Sequence, residues 1–360
     1  MQHLHSRAPL SSLRFRHWLA AVLLALLTLS AGAAVASDEA TIYVASTRFV
    51  DRLGTLAAHP SEAMRYSVHR VTVPRTHRPG RISRDFRSVG QRQFTARSDF
   101  TGAIVADARR NHGTSEVLVY IHGFEQSFSE SLSRAAQLDA DFANPATTVL
   151  YAWPSANRLD SYARDVEQVA AARRGLVELL DGLAVSEASR VVIVAHSLGS
   201  RLALGALADM ASAGAPRFFG KFGGLAMLAP DIPVEDFSRT VRMHPELAKP
   251  IVIYGSARDR VFELAPAIAG VSRRLGDLRD LEGIRDFEVT VIDVGAVRDH
   301  AVSNHFPLAT SPTLINAFNS LPRPDFIGFA RALAEGALSS ATVSELGAAT
   351  LIVLPPPHNR

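Results

Sequence analysis

The sequence has no cysteine in its 360 residues. This absence excludes disulfide bonds, a thiolate nucleophile and a lipid-modified cysteine anchor. Charged residues are also sparse, at 20 % of the chain, whereas hydrophobic residues make up 47 %. That composition excludes a disordered chain. A chain of this length instead buries enough core, as one large domain or two ordinary ones, to be stable without disulfide bonds.

Net charge is also nearly absent once the first residues are set aside. The formal net charge is +3, and residues 1–36 hold three arginines and no acidic residue, so the remainder is neutral overall. This segment has a basic start, an apolar stretch over residues 18–29 and a small-residue site at Ala36, which is typical of a secretory signal peptide. The apolar stretch is shorter than the about 20 residues that a membrane span needs. The sequence therefore predicts a periplasmic or secreted protein, cleaved after Ala36.

Apolar, β-branched runs alternate along the chain with helical patterns. Helical spacing begins at Phe128 and again at Tyr162, where Gly182 is the expected helix stop. Near-continuous apolar strands alternating with amphipathic helices predict an α/β fold, with a mostly parallel twisted sheet covered by helices on both faces. The predicted strands are Val117–Ile121, Thr147–Ala152, Val191–Ala195, Leu225–Ala229, Ile251–Tyr254 and Phe287–Val294.

A serine at the junction of a strand and a helix is the strongest chemical signal. Ser197 in "AHSLG" follows an apolar run and precedes a helical pattern. Small residues two places before and after it, here Ala195 and Gly199, let strand and helix pass close together. The serine is then held in a strained conformation with its hydroxyl exposed. The pattern predicts a nucleophile, and the structural alternative is a loop serine that caps the helix.

The stretch "VYIHGF", which ends at Phe124, closes an earlier strand where an oxyanion loop is expected. Acyl transfer places negative charge on a carbonyl oxygen, which needs two preorganised N–H donors. The candidate donors are the backbone amides of Phe124 (or Gly123) and Leu198. His122 is expected to support this loop, because the fold orders its catalytic residues serine, acid, histidine.

Two acids and two histidines are candidates for the remaining roles. A carboxylate would hold the imidazole tautomer and stabilise the imidazolium. Asp259 follows the strand Ile251–Tyr254 and Asp231 follows the preceding strand, and position favours Asp259. His300 and His305 both follow the last strand. The residues alone leave the choice between the two histidines open.

Taken in order, these motifs resemble a bacterial family of esterase/lipase-like α/β-hydrolases whose substrates are largely unassigned. The resemblance implies Ser197 as nucleophile, Asp259 as acid and, from the spacing to "PTLINAF", His305 as base. Glu125 departs from the pattern, since the family often has Asn after "HGF". The match spans nearly the whole chain after residue 36 and includes "IYVASTR", "VTVP" with "RPG", "VYIHGF", "YAWPS", "SYARD", "AHSLGSRL", "LAPDI" and "YGSARDR".

Two residues within those motifs have structural interpretations. Trp153 in "YAWPS" either borders the pocket or closes the core. Asp165 in "SYARD" is expected on a helix surface or in a salt bridge. The arginine-rich stretch 70–97 is either a solvated face or a weak contact surface for an anionic substrate or envelope polymer.

The sequence as a whole predicts an exported serine hydrolase that cleaves small-molecule or lipid carboxylic esters through a Ser-His-Asp triad. No metal-ligand spacing such as His-Glu-x-x-His occurs, so no cofactor or metal is expected. The balanced charge and the lack of a recognition motif argue against nucleic-acid binding. The alternatives are an amidase, peptidase or thioesterase with the same triad, or a non-catalytic envelope protein that uses the scaffold for binding.

The expected domain organisation is one α/β-hydrolase domain over residues 37–360 after the signal peptide. Residues 37–110 are predicted to form leading strands, residues 111–322 the catalytic core, and residues 323–360 a C-terminal helix and tail. A small cap, if any, is expected within residues 261–286.

Overall fold

The computed structural model describes residues 38–51, 56–248, 250–262, 273–295, 297, 305–336 and 350–353. The predicted signal peptide and its cleavage site after Ala36 lie outside these described residues, and so does His300. Within the described ranges, no helix combines the length and the apolar character that crossing a membrane would require.

Ten strands of the described chain form one sheet that is parallel through its centre. Neighbouring strands from β1 through β5, β4, β6, β7 and β8 to β9 pair in parallel. The pairs β1–β2, β2–β3 and β9–β10 are antiparallel. The predicted α/β-hydrolase fold with a mostly parallel sheet is therefore confirmed. The spatial order is β10-β9-β8-β7-β6-β4-β5-β1-β2-β3, and the strands are β1 (Asp38–Val50), β2 (Leu56–Val73), β3 (Ser88–Phe94), β4 (Glu116–Ile121), β5 (Thr147–Ala152), β6 (Arg190–His196), β7 (Phe222–Leu228), β8 (Ile251–Gly255), β9 (Val289–Asp293) and β10 (Thr350–Val353).

Helices cover both faces of the sheet and create two separate hydrophobic cores. In β6, Ile193 belongs to one core and Val194 to the other, because successive side chains of a strand point to opposite faces. The described helices are α1 (Arg97–His112), α2 (Phe128–Asp141), α3 (Tyr162–Val185), α4 (Leu198–Ser212), α5 (Pro216–Phe219), α6 (Val234–Met243), α7 (Pro307–Thr310), α8 (Pro312–Asn319) and α9 (Phe326–Ala334). The first core contains buried side chains of α1, α3, α4 and α6, and the second those of α2, α8 and α9.

Two sequence interpretations of local structure are wrong. Residues 97–110 do not belong to leading strands but to α1, which buries Phe100, Ile104 and Ala108 on one face. Gly182 does not stop α3, which continues to Val185. A Cβ at position 182 would lie 2.9 Å from Cδ of Arg97, so this glycine instead lets the Arg97 side chain cross the helix.

The predicted cap falls only partly on described residues. Residues 263–272 lie outside them, whereas Leu275–Asp277 and Glu282–Ile284 form short 3-10 turns. The amide of Leu275 donates to the carbonyl of Ile232 over 2.8 Å, so this segment packs against the loop that follows β7.

The parallel pairing positions the functional residues. Because β4, β6, β7 and β8 run in the same direction, the loops that follow them emerge at one edge of the sheet. In open α/β sheets this carboxyl edge is where ligands bind.

Candidate active site

Ser197 occupies a strained turn between β6 and α4. Its φ is 51° and its ψ is −123°, a region that costs a non-glycine residue of order 1–3 kcal/mol. The surrounding backbone holds the turn. The Ser197 amide donates to the Leu228 carbonyl over 2.9 Å, and the Ser197 carbonyl accepts from the amides of Asp231 at 3.1 Å and Ser200 at 3.0 Å. The Ser197 side chain makes no capping hydrogen bond to α4, so the structure does not support the helix-capping alternative.

Two glycines allow the loop after β4 to approach this turn. A Cβ on Gly199 would lie 2.4 Å from the His122 carbonyl oxygen, so no larger residue fits there without a shift of the backbone. A Cβ on Gly123 would lie 3.0 Å from Cβ of Ser197 and 2.7 Å from Nδ1 of His196. The predicted oxyanion loop is therefore in direct contact with the serine.

The two predicted oxyanion donors flank that contact. Leu198 is the first residue of α4, where a helix leaves its amides without intrahelical acceptors. Within the described residues, neither the Leu198 amide nor the Phe124 amide donates a hydrogen bond. The Phe124 ring packs edge-on against Tyr162, with centroids 5.5 Å apart, which fixes the end of the loop.

Asp259 and His305 are joined by a hydrogen bond. Nδ1 of His305 lies 2.7 Å from Oδ2 of Asp259, and the carboxylate is fully buried. The second oxygen, Oδ1, accepts from the Val261 amide over 2.9 Å, which fixes the orientation of the carboxylate. A buried acceptor at Nδ1 selects the imidazole tautomer that carries its proton on Nδ1, so that the lone pair of Nε2 can act as a base.

Asp231 has other partners. It forms a buried ion pair with Arg274 at 3.1 Å and accepts the Tyr162 hydroxyl over 2.8 Å. Of the two candidate acids, the structure brings only Asp259 to His305. The other candidate base, His300, lies outside the described residues.

His196, the residue before Ser197, lies against the Asp259–His305 pair. The ring centroids of His196 and His305 are 5.0 Å apart. Within the described residues, Ser197 Oγ forms no hydrogen bond to His305. Such a contact often tightens only when substrate is bound.

His196 is a component of the site that the sequence interpretation missed. Its ring stacks on Phe306, with centroids 4.0 Å apart. Burial, and then the charge of His305, hold the pKa of His196 well below its usual value, so the ring is neutral. Its position directly before the serine was the signal that could have indicated a role in the site.

His122 lies inside the loop and not against the Asp259–His305 pair. Its ring is stacked on Trp153, with centroids 5.2 Å apart. Its two nitrogens lie 2.9 Å and 3.1 Å from the Gly123 and Trp153 carbonyl oxygens. Burial lowers the pKa of His122 to about 3, and a neutral imidazole has one N–H, so only one of these contacts is a donated hydrogen bond. Trp153 itself is fully buried and closes the core.

A buried arginine fixes the far end of the same loop. Arg48, at the end of β1, donates to the Gln126 carbonyl over 2.7 Å and to the Ser155 carbonyl over 3.4 Å. Burial lowers the pKa of Arg48 to about 10, a value at which the guanidinium is still charged near neutrality. The sequence signal was an arginine close behind the apolar run Ile42–Ala45 of the same strand.

Asp165 belongs to this network and does not lie on a helix surface as the sequence suggested. It is fully buried, and its carboxylate accepts the Ser155 hydroxyl over 2.6 Å and the Ala156 amide over 3.0 Å. Burial raises the pKa of Asp165. Asp165 thereby fixes the loop after β5, against which the loop after β4 rests.

Metal ligands are not assembled in the part of the chain that the structure describes. No three histidine, aspartate or glutamate side chains there are grouped in a way that could hold a metal ion.

Comparison with known proteins gives a family and distant structural neighbours. The model of a family described as "alpha/beta hydrolase of unknown function (DUF900)" matches residues 99–321. No curated protein sequence matches the chain.

The structural neighbours include three hydrolases at low similarity. An inhibited esterase B from Lactobacillus rhamnosis is 12 % identical, over 72 % of this chain and 81 % of that chain, with a TM-score of 0.29. LpqC, a poly(3-hydroxybutyrate) depolymerase from Bordetella parapertussis, is 12 % identical, over 87 % of this chain and 94 % of that chain, with a TM-score of 0.34. The esterase Est22 is 15 % identical, over 69 % of this chain and 72 % of that chain, with a TM-score of 0.24. Similarity at this level carries no argument about activity.

Proposed function

The chain belongs to the family of α/β-hydrolases of unknown function, and from this premise we propose that it is an exported serine hydrolase that cleaves carboxylic esters. The observation that carries the proposal is the hydrogen bond between the buried Asp259 carboxylate and His305, whose ring contacts His196 directly before a serine held at positive φ. Ser197, His305 and Asp259 act as nucleophile, base and acid.

The reaction has two halves. Ser197 Oγ attacks the acyl carbonyl while Nε2 of His305 takes its proton, and Asp259 holds the imidazolium that forms. The amides of Phe124 and Leu198 donate to the oxyanion, where each donor is worth roughly a hundred- to thousandfold in rate. His305 then protonates the leaving alcohol. Water, deprotonated by His305, finally releases the acid and restores Ser197.

Export is part of the proposal because of residues 1–36. Their basic start, apolar stretch and small-residue site support secretion to the periplasm or the medium. The absence of cysteine means that the protein needs no oxidative folding in either location.

Labelling with a fluorophosphonate tests the nucleophile without knowledge of the substrate. We expect purified residues 37–360 to be labelled, and Ser197→Ala to lose the label. Ser212→Ala, at an exposed serine at the end of α4, is the matched control and should be labelled like the wild type. If the folded wild-type protein is not labelled, the enzymatic proposal fails and a non-catalytic binding role replaces it.

A panel of matched substrates tests the bond that is cleaved. An ester, an amide and a thioester with the same acyl group should be compared by kcat/KM. We expect the ester to be hydrolysed fastest, and preference for the amide or thioester would instead assign the chain to one of those classes.

A further inference from the structure

A cleft opens beside the proposed oxyanion loop. Its volume is about 710 Å³, and it lies between the loop over residues 82–88 and the first half of α2. Its apolar lining includes Phe86, Phe128 and Leu132, and its cationic lining includes Arg84, Arg87 and Arg134. We call this feature the arginine cleft. An apolar wall with a few charged groups suits an amphiphilic ligand.

The arginine cleft is held open by hydrogen bonds. The carboxylate of Asp141 on α2 binds Nε2 of His77 and accepts the Gly80 amide over 2.6 Å. The Ser133 hydroxyl donates to the Phe86 carbonyl over 3.0 Å. These contacts tie the chain to α2 just before the loop, at His77 and Gly80, and within it, at Phe86.

The arginine cleft is within reach of the nucleophile. A Cβ on Gly123 would be 3.0 Å from Cβ of Ser197, and Glu125, which lines the cleft, is two residues further along the chain. Since two extended residues span about 7 Å, Glu125 lies within about 12 Å of the serine side chain. On the opposite side, the Arg134 guanidinium lies 5.0 Å from the ring centroid of Phe306, the ring that stacks on His196.

Positive charge in the arginine cleft lacks a protein partner. Arg84 and Arg87 are exposed, and neither forms an ion pair with any described residue. Arg134 donates to Gln137 over 2.7 Å, but its Nε has no acceptor within the described ranges. These guanidinium groups suit a carboxylate, which they can bind through paired N–H groups.

The acidic side chains of the cleft do not neutralise these arginines. The carboxylate of Glu130 is used in a capping box with Ser127, where it accepts the backbone amide over 2.8 Å. Glu125 is exposed, and partial burial together with the charge of Glu130 raises its pKa. When it is ionised, the Glu125 carboxylate therefore repels an anionic ligand in the cleft.

We propose that the arginine cleft binds the free carboxylate of an ester substrate that carries this group at the end of an apolar chain. The proposal rests on the proposed function, because the chain must reach from Ser197 to Arg84 and Arg87. It names a substrate class: half-esters of dicarboxylic acids and related monoanionic esters. Cleavage itself follows the same atoms as for a neutral ester, and the free carboxylate takes no part in the chemistry.

Monomethyl suberate and dimethyl suberate are suitable probes because they have the same chain and differ only in one carboxylate. Calorimetry on Ser197→Ala measures their binding without hydrolysis. We expect the monoanion to bind roughly tenfold more tightly, and Arg84→Gln with Arg87→Gln to reduce this preference roughly three- to tenfold. The preference should also fall as salt is added.

Two further variants test the direction of the charge effect and provide the control. Glu125→Gln should increase the preference, because it removes the opposing acid. Arg81→Gln changes an exposed arginine that directly precedes the loop and does not line the cleft. The preference for the monoanion should therefore stay as in the Ser197→Ala protein. Equal binding of the two probes, or a preference that survives in the double arginine variant, would overturn the proposal.

Turnover by the wild type separates this proposal from the one it rests on. If dimethyl suberate is hydrolysed and the monoanion is not preferred, the enzyme is an esterase and the cleft assignment is wrong. If the monoanion binds through the arginines and neither ester is hydrolysed, the cleft binds anions and the proposed ester hydrolysis is wrong.

Discussion

At the scale of single residues, the chemistry depends on which carboxylate faces the imidazole. Asp259 and Asp231 each follow a strand at the same edge of the sheet, but only Asp259 contacts His305. Asp231 instead balances a buried arginine. The two aspartates therefore have separable roles, one in positioning the base and one in stabilising the fold.

Substitution of each aspartate by asparagine should affect a different property, the rate in one case and the stability in the other. Asp259→Asn removes the acceptor for Nδ1 of His305, so we expect kcat to fall by about 10⁴-fold with little loss of stability. Asp231→Asn leaves the Arg274 charge buried without its counter-ion, so we expect the free energy of unfolding to fall by about 3–5 kcal/mol. Ester hydrolysis and urea denaturation measure the two effects, and exchanged outcomes would contradict the assignment of the acid.

Glu125 has a second residue-scale property, a positive φ of 55°. Asparagine tolerates this region better than glutamate. Glu125→Asn should therefore raise the free energy of unfolding by about 0.5–1 kcal/mol.

The matched control for that substitution is Glu167→Asn. Glu167 is an exposed residue of α3, where asparagine is the poorer helix former, so the same change there should lower stability. Urea denaturation checks both variants, and a fall in stability for Glu125→Asn would show that the backbone is not strained at this position.

Sequence information at this scale sufficed where the signal was local. Ser197 could be predicted because its strand, turn and helix are contiguous. The choice between Asp259 and Asp231 could not be made securely, because the partner histidine is 46 residues further along the chain. Only the folded structure determines which side chains meet across that separation.

At the scale of secondary structure elements, Arg48 joins three of them. It extends from the end of β1 to the loops that follow β4 and β5. The loop after β4 carries the proposed oxyanion donor Phe124, so its position depends on contacts two residues away at Gln126. We interpret Arg48 as a positioning residue, since it lies outside the proposed contacts with substrate.

Replacement of this arginine by lysine tests that interpretation. Lysine keeps the charge but cannot donate to both carbonyls in the same geometry. A displacement of about 1 Å in a catalytic loop can cost about a hundredfold in rate, so Arg48→Lys should lower kcat by about ten- to hundredfold and leave KM little changed. Arg65→Lys, on an exposed part of β2, is the control. An unchanged kcat in a folded Arg48→Lys protein would remove the positioning role.

The errors in element prediction have physical causes. α1 was missed because it has no side-chain cap at Ala96 and because Gly102 and Ala106 occupy exposed positions, which weakens the polar–apolar pattern of the helix. Gly182 was interpreted as a helix end because glycine often has that role. In the structure, the contact with Arg97 determines its identity, and a contact between helices leaves no local pattern in the sequence.

At the scale of the whole molecule, burial of histidines couples folding to pH. Burial lowers the pKa of His122 to about 3 and of His69 to about 4, and holds that of His196 well below its usual value. The unfolded chain binds protons at these positions below pH 6.5 while the folded protein does not. The contribution of these histidines to the free energy of unfolding is therefore fully present above that pH and is lost as the pH falls below it.

The free energy of unfolding should fall by about 1–2 kcal/mol for each of these histidines between about pH 7 and about pH 5. Urea denaturation across this range measures the slope. His69→Gln should make the slope shallower, whereas His112→Gln, at an exposed position at the end of α1, should leave it as in the wild type. A free energy of unfolding that does not vary with pH would contradict the neutral, buried state of these rings.

The fold class was predictable at this scale, because apolar strands alternating with helices describe a covered parallel sheet. The placement of β1 next to β5, with the β2–β3 ribbon outside it, was not. That placement brings residues 82–88 against α2 and creates the arginine cleft. Strand order is a property of long-range pairing, which periodicity in a single segment does not encode.

The two cores on either side of the sheet have a consequence for divergence. β6 contributes side chains to both cores, so the turn at Ser197 is held from two sides. The loop over residues 82–88 lies instead near the edge of the sheet, held to α2 through the Phe86 carbonyl and to β2 through the Arg87 carbonyl. Mutations can therefore accumulate in that loop without disturbing the turn. Descendants of this protein can therefore vary the lining of the arginine cleft while they inherit the same backbone geometry at Ser197.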